Sequence, residues 1–124
     1  MNLDGFPDLV SANAKNNTLS VLMGKGDGTF RKTLTFPVAS EPTTIATGDV
    51  NSDGIPDLLV NSRGTGQITI LLGYGNGSFR RLPSVKTGKV PLAIIPADFN
   101  GDENLDVAVT LTFAKNIFLK YVAM

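Results

Sequence analysis

The sequence predicts an all-β fold built from repeated four-stranded antiparallel sheets, and three observations carry that expectation. The chain repeats itself at an offset of 49: "PTTIATGDVNSDGIPDLLV" (42–60) returns as "PLAIIPADFNGDENLDVAV" (91–109), and "LSVLMGKGDGTFRK" (19–32) returns as "ITILLGYGNGSFRR" (68–81). Short runs rich in Val, Ile, Leu, Thr and Phe alternate with clusters of Gly, Asn, Asp and Pro, the pattern of strands and turns. No window holds a helical period over roughly ten residues. Repeats of about 40 to 50 residues with four strands each are the sequence mark of β-propeller blades.

The elements follow in order from that period. "NLDGFPDLV" (2–10) sits 49 residues before "NSDGIPDLL" (51–59), and "NIFLKYVAM" (116–124) sits 49 after "QITILLGYG" (67–75), so the 124 residues read one unit about two and a half times. The expected division of this single domain is a partial blade over 1–41, a complete blade over 42–90 and a partial blade over 91–124. The first blade then lacks its first strand and the third its last. In the complete unit "TTIAT", "DLLVNS", "QITILLG" and "FRRLPSVK" supply the four strands. "DLLV", "TILL" and "LAII" are apolar at both parities, which predicts sheets covered on both faces. "GKGDGTF" and "GYGNGSF" place Gly at alternate positions between two strands, as a tight turn needing positive φ requires. Phe30 and Phe79, which follow those turns, are expected to fill gaps between blades.

Composition narrows the chemistry. Eleven basic residues balance eleven acidic ones, so no global field recruits nucleic acid or an anionic membrane. No segment approaches the roughly 20 apolar residues of a membrane span, and "MNLDGFPDLV" lacks the basic and apolar regions of a signal peptide. With no Cys and no His, thiolate chemistry, the usual general base and the commonest transition-metal ligand are all missing. Oxygen ligands remain.

Eight of the nine Asp residues fall in three loops in register with the repeat, with Asp27 outside them. One loop reads Asp49-x-Asn51-x-Asp53-Gly54-Ile55-x-Asp57, and the next reads Asp98-x-Asn100-x-Asp102-Glu103-Asn104-x-Asp106. A third, shorter at its start, reads Asn2-x-Asp4-Gly5-Phe6-x-Asp8. Oxygens at positions 1, 3 and 5 of a tight loop converge on one point, the position-7 carbonyl joins them, and a carboxylate at position 9 closes the shell. That pattern is hard-cation chemistry and suits the six to eight oxygen ligands of Ca²⁺ better than the octahedron of Mg²⁺. Turn formation alone also accounts for Asp, Asn and Gly in a short loop, and repetition at the same positions is what favours the ion. An EF-hand is excluded because Val60 and Val109 stand where its bidentate Glu would stand and the flanks are strand-like.

The "DVNSDGIPDLLV" loop, the "GNGSF" turn and the repeat length together resemble the FG-GAP/VCBS repeats of integrin α-subunit-like propellers, and the resemblance covers the whole chain. It implies a propeller of about seven blades with Ca²⁺ held between successive strands of a blade. Carried over by position, it implies the ligands Asp49, Asn51, Asp53, Asp57 and the Ile55 carbonyl, then Asp98, Asn100, Asp102, Asp106 and the Asn104 carbonyl. Asn2, Asp4 and Asp8 lack a position-1 partner and form a weak or partial site. Glu103 departs from the pattern where Gly54 stands, at a cost of roughly 1 kcal/mol if it is left-handed, and Gly101 is available to relax that turn.

The resemblance further implies a secreted or cell-surface setting and a non-catalytic, calcium-binding scaffold for protein or glycan ligands in adhesion. The alternatives are the propeller part of a secreted lyase or hydrolase, or a lectin. No nucleophile with an identifiable base supports the enzyme, and nothing points to a rim base such as Lys89 or Tyr74. Tyr74 has Lys25 as its counterpart, so the repeating aromatic of a lectin is missing. Two and a half blades do not close a ring, which needs at least about four. The expected partner is therefore a further copy of the chain in a homo-oligomer, a dimer or trimer, or the remaining blades of a longer parent chain.

Overall fold

The computed structural model describes residues 1–88, 91–111 and 118–121, with Leu111 and the last four described by backbone alone. Its strands are β1 (Leu9–Asn13), β2 (Thr18–Leu22), β3 (Leu34–Pro37), β4 (Pro42–Gly48), β5 (Asp57–Ser62) and β6 (Gln67–Gly73). They continue with β7 (Phe79–Arg81), β8 (Val85–Lys86), β9 (Pro91–Ala97), β10 (Asp106–Leu111) and β11 (Phe118–Tyr121). The described residues contain no helix. All pairing between neighbouring strands is antiparallel, in three sheets ordered β1-β2-β3, β4-β5-β6-β7 with β8 also on β6, and β9-β10-β11.

The repeat persists in the register. Thr18 faces Pro37 in the first sheet, and their counterparts one repeat later, Gln67 and Lys86, face each other in the second. The first sheet begins at the strand after its acidic loop, while the second has an additional strand, β4, before its own.

The central sheet is covered on both sides, as its apolar strands require. Leu58, Val60 and Leu71 pack with Leu19, Val21 and Met23 of the first sheet. Leu59, Ile68 and Ile70 point the other way and pack with Ile94, Val107 and Val109 of the third. Every residue of β5 is buried, and the alternation of its side chains between the two cores fixes the register, because a slip of one residue would exchange the faces. The linker between the first two sheets is fastened as well: Val38 N–H donates to the Asn17 carbonyl at 2.9 Å and the Ser62 hydroxyl to the Ala39 carbonyl at 3.2 Å.

Two expectations need correction. "FRRLPSVK" is not one strand; it breaks into β7 and β8, which pair with opposite ends of β6. Leu82 still donates to the Ile70 carbonyl at 2.9 Å, but Pro83 has no N–H to continue the ladder. Phe79 does fill a gap between blades, meeting Phe36 edge-on at 5.3 Å and 85°. Its counterpart Phe30 does not; it is 38% exposed, on the face of the first sheet that no other sheet covers. Of the two rim bases, Tyr74 is exposed, and Lys89 lies outside the described residues.

Candidate metal centre

The second and third acidic loops enter strands that run through the middle of their sheets and the first enters the edge strand β1; in each the last carboxylate is drawn inward while the earlier ones stay in water. Asp49 to Gly54 is exposed apart from Val50 and half-buried Asp49, whereas Asp57 is fully buried. The loop is organised by its own side chains. Asp49 accepts from the amides of Asp53 at 3.1 Å and Gly54 at 2.8 Å, and Asp53 accepts from the Ile55 amide at 2.8 Å. Asn51 donates from its amide to Asp53 at 3.0 Å and accepts from the Asp53 N–H at 3.4 Å.

The Asp98 loop repeats the backbone part of this arrangement and adds a bond from the Gly101 amide to Asp98 at 2.8 Å. Asp98 accepts from the amides of Asp102 at 3.2 Å and Glu103 at 2.9 Å, Asn100 from Asp102 at 3.2 Å, and Asp102 from Asn104 at 2.9 Å. In the first loop only the later half survives: Asp4 accepts from the Phe6 amide at 3.0 Å and from Asn2 at 2.8 Å. The three loops share two left-handed positions. These are Leu3 and Gly5, Ser52 and Gly54, and Gly101 and Glu103. Gly101 therefore does not relax Glu103, whose φ is 67°; it relieves its own position, at φ 75°.

The position-9 carboxylates have a role that the sequence pattern did not disclose. Asp57 accepts from the buried amides of Val50 and Gly73, both at 2.8 Å, tying the loop to β6. Asp8 does the same with the Gly24 amide at 2.9 Å and also pairs with the N-terminal ammonium group. Asp106 accepts from the Phe99 amide at 3.0 Å. Glycine is needed at the donor positions for lack of space. A Cβ on Gly24 or Gly73 would lie 2.1 Å from the Pro7 carbonyl or 2.4 Å from that of Pro56. The repeated spacing of Asp8 to Gly24 and Asp57 to Gly73 was the available signal.

Electrostatics differ along the loop. Burial pushes the Asp57 carboxyl above its usual range; the Gly73 and Val50 amides oppose this, and the charges of Asp53 and Asp49 add to it. The Asn104 amide holds the exposed Asp102 carboxyl below its usual range, and the Phe6 amide does the same for Asp4.

The donor set fits a hard cation in kind, being all oxygen. Two buried oxygens of the predicted ligands, Asn2 Oδ1 and Asp106 Oδ1, have no hydrogen-bond partner among the described residues. Among those residues no three acidic side chains are already gathered as a cage. Asp49, Asn51 and Asp53, and likewise Asp98, Asn100 and Asp102, hold positions around one turn and keep further lone pairs beyond the amides they accept. Asp57 and Asp106 could bind an ion only while bracing their sheets.

Stacked antiparallel sheets, each with an acidic loop at the same place in the repeat, define a repeat protein of β-propeller blades. The chain belongs to the FG-GAP-like repeat family, whose model matches residues 1–60 and again 57–109. Neither a curated protein nor a solved structure matches the chain.

Proposed function

We propose that this chain is a calcium-stabilised, non-catalytic propeller scaffold that displays its blade rims to a protein or glycan partner, in a secreted or cell-surface setting. The observation that carries the reading is the duplication of one loop geometry: Asp49, Asn51 and Asp53 hold the same backbone amides as Asp98, Asn100 and Asp102. A turn needs only one such side chain, and three exposed oxygen donors at alternate positions, twice over, suit an ion of high coordination number. The Ile55 and Asn104 carbonyls complete the two sets. The carboxylate charges that crowd Asp57 are of the sign a divalent cation would offset. Calcium at the concentrations found outside cells, about the millimolar range for such modules, would occupy weak sites.

Calorimetric titration with CaCl₂ and with MgCl₂, paired with thermal melts with and without EDTA, tests this. Calcium is expected to bind at two sites and to raise the melting temperature, with Asp49→Asn plus Asp53→Asn removing one site and Asp98→Asn plus Asp102→Asn the other. A chain that binds no calcium and melts alike under both conditions would leave the loops as turns.

A further inference from the structure

Two asparagines of the chain stand directly before a glycine, Asn76 and Asn100, and the structure surrounds them differently. In such a pair the amide nitrogen of the glycine can attack the side-chain carbonyl carbon of the asparagine, because no Cβ obstructs the approach. What lies around each pair then sets the rate.

Asn76 is exposed in the turn between β6 and β7. Its Oδ1 accepts from the Ser78 amide at 3.0 Å and from the Ser78 hydroxyl at 2.6 Å. Two donors on one carbonyl oxygen draw charge from its carbon and are placed to hold the oxyanion that forms there on attack. The Gly77 amide donates to no partner among the described residues, and the turn from Tyr74 to Ser78 contains no acid.

At Asn100 the attacking group is already engaged, since the Gly101 amide donates to Asp98 at 2.8 Å. Asp98, Asp102 and Glu103 also crowd that loop with negative charge, which disfavours both an amide anion and an oxyanion.

We infer that Asn76 is a site of spontaneous covalent modification, at which the chain converts the asparagine to aspartate or isoaspartate with water as the co-reactant. Hydroxide takes the Gly77 amide proton and the nitrogen attacks Asn76 Cγ, closing a cyclic imide. The Cγ–Nδ2 bond breaks, and ammonia leaves with a proton returned from water. A water molecule then opens the imide at either of its carbonyls.

The aspartate product fits the turn, as Asp27 one repeat earlier shows. Asp27 accepts from the Thr29 hydroxyl at 2.5 Å and the Thr29 amide at 2.9 Å, and these bonds hold its carboxyl below the usual range. The isoaspartate product adds a methylene to the backbone beside Gly77, where a Cβ would already lie 2.4 Å from the Met23 side chain. One product therefore adds a charge and keeps the turn, and the other disturbs the contact between the first two sheets. The inference rests on this turn and not on the calcium reading.

Peptide mapping by mass spectrometry of the full chain, incubated in mildly alkaline buffer with EDTA, supplies the test. In the native chain Asn76 is expected to lose ammonia roughly tenfold faster than Asn100. In urea, where neither pair keeps its surroundings, the gap is expected to close to about twofold. Ser78→Ala, checked for wild-type circular dichroism, is expected to slow the native reaction at Asn76 by about threefold or more and to leave the rate in urea unchanged. An Asn76 that reacts no faster than Asn100, a gap that persists in urea, or a Ser78→Ala chain that reacts as fast as the wild type would overturn the inference. With EDTA present throughout, none of these outcomes depends on whether the acidic loops bind calcium.

Discussion

In the Asp49 loop the left-handed residues are Ser52, at φ 59°, and Gly54, at φ 79°; in the Asp98 loop they are Gly101, at φ 75°, and Glu103, at φ 67°. The backbone path is the same and the glycine has changed places. Each loop therefore carries one glycine where it helps and one ordinary residue held left-handed at a cost of roughly 1 kcal/mol. Glu103 does not by itself make the second loop the poorer one. What holds either loop is the carboxylate at its first position gripping the amides at its fifth and sixth. At the inner ends of the loops, among the described residues, Asp57 satisfies two amides and Asp106 one, the position equivalent to Gly73 lying outside them.

The largest effect that could break this comparison lies at those ends. Asp57→Ala strands two buried amides that were bonded to a charged group, and should cost roughly 3 kcal/mol or more. Asp106→Ala strands the Phe99 amide, and on that one described bond should cost about half as much. Urea denaturation of the two variants measures the difference, and equal losses would mean that the braces are equivalent.

Moving the glycines sharpens the account of the loops. A Cβ on Gly54 or Gly101 meets nothing within 4 Å, so only backbone conformation opposes a side chain there. Gly54→Ala and Gly101→Ala should each lose about 1 kcal/mol, while Ser52→Gly and Glu103→Gly should each gain up to about that much. Matching shifts in the denaturation midpoint would confirm one shared backbone. A Glu103→Gly variant with no gain would show that the left-handed residue at that position is not a cost.

Acid titration gives the smallest effect and separates the two ends of a loop. In calcium-free buffer, carbon NMR should find the Asp57 carboxyl titrating above the usual 3.8 and Asp102 below it. The signs for stability are opposite. Between 3.8 and its raised value, native Asp57 still holds a proton that the unfolded chain has released, so stability falls as pH rises through that window. Asp102 contributes stability above 3.8 that fades as pH drops through its lowered value. Reversed positions of the two titrations would overturn the burial argument.

The sequence by itself determined the repeat, the strands between its turns, the two-sided burial of "DLLV" and "TILL", and the three acidic loops. These follow from local periodicity and from residue types whose preferences act over a few positions, and the 49-residue offset multiplied every such signal. Only the tertiary structure decided what depends on a neighbour. Asp57 and Asp8 became braces because β6 and the segment following β2 brought the amides of Gly73 and Gly24 to them, 16 residues away. Phe30 and Phe79 occupy the same place in the repeat, yet one is exposed and the other packs on Phe36, because a sheet lies against only one of them. The outer strand broke where Pro83 could not donate, and Gly101 proved to serve a different residue from the one it seemed placed to help. A repeat writes the same local instructions into each blade, but burial is a property of what stands beside it.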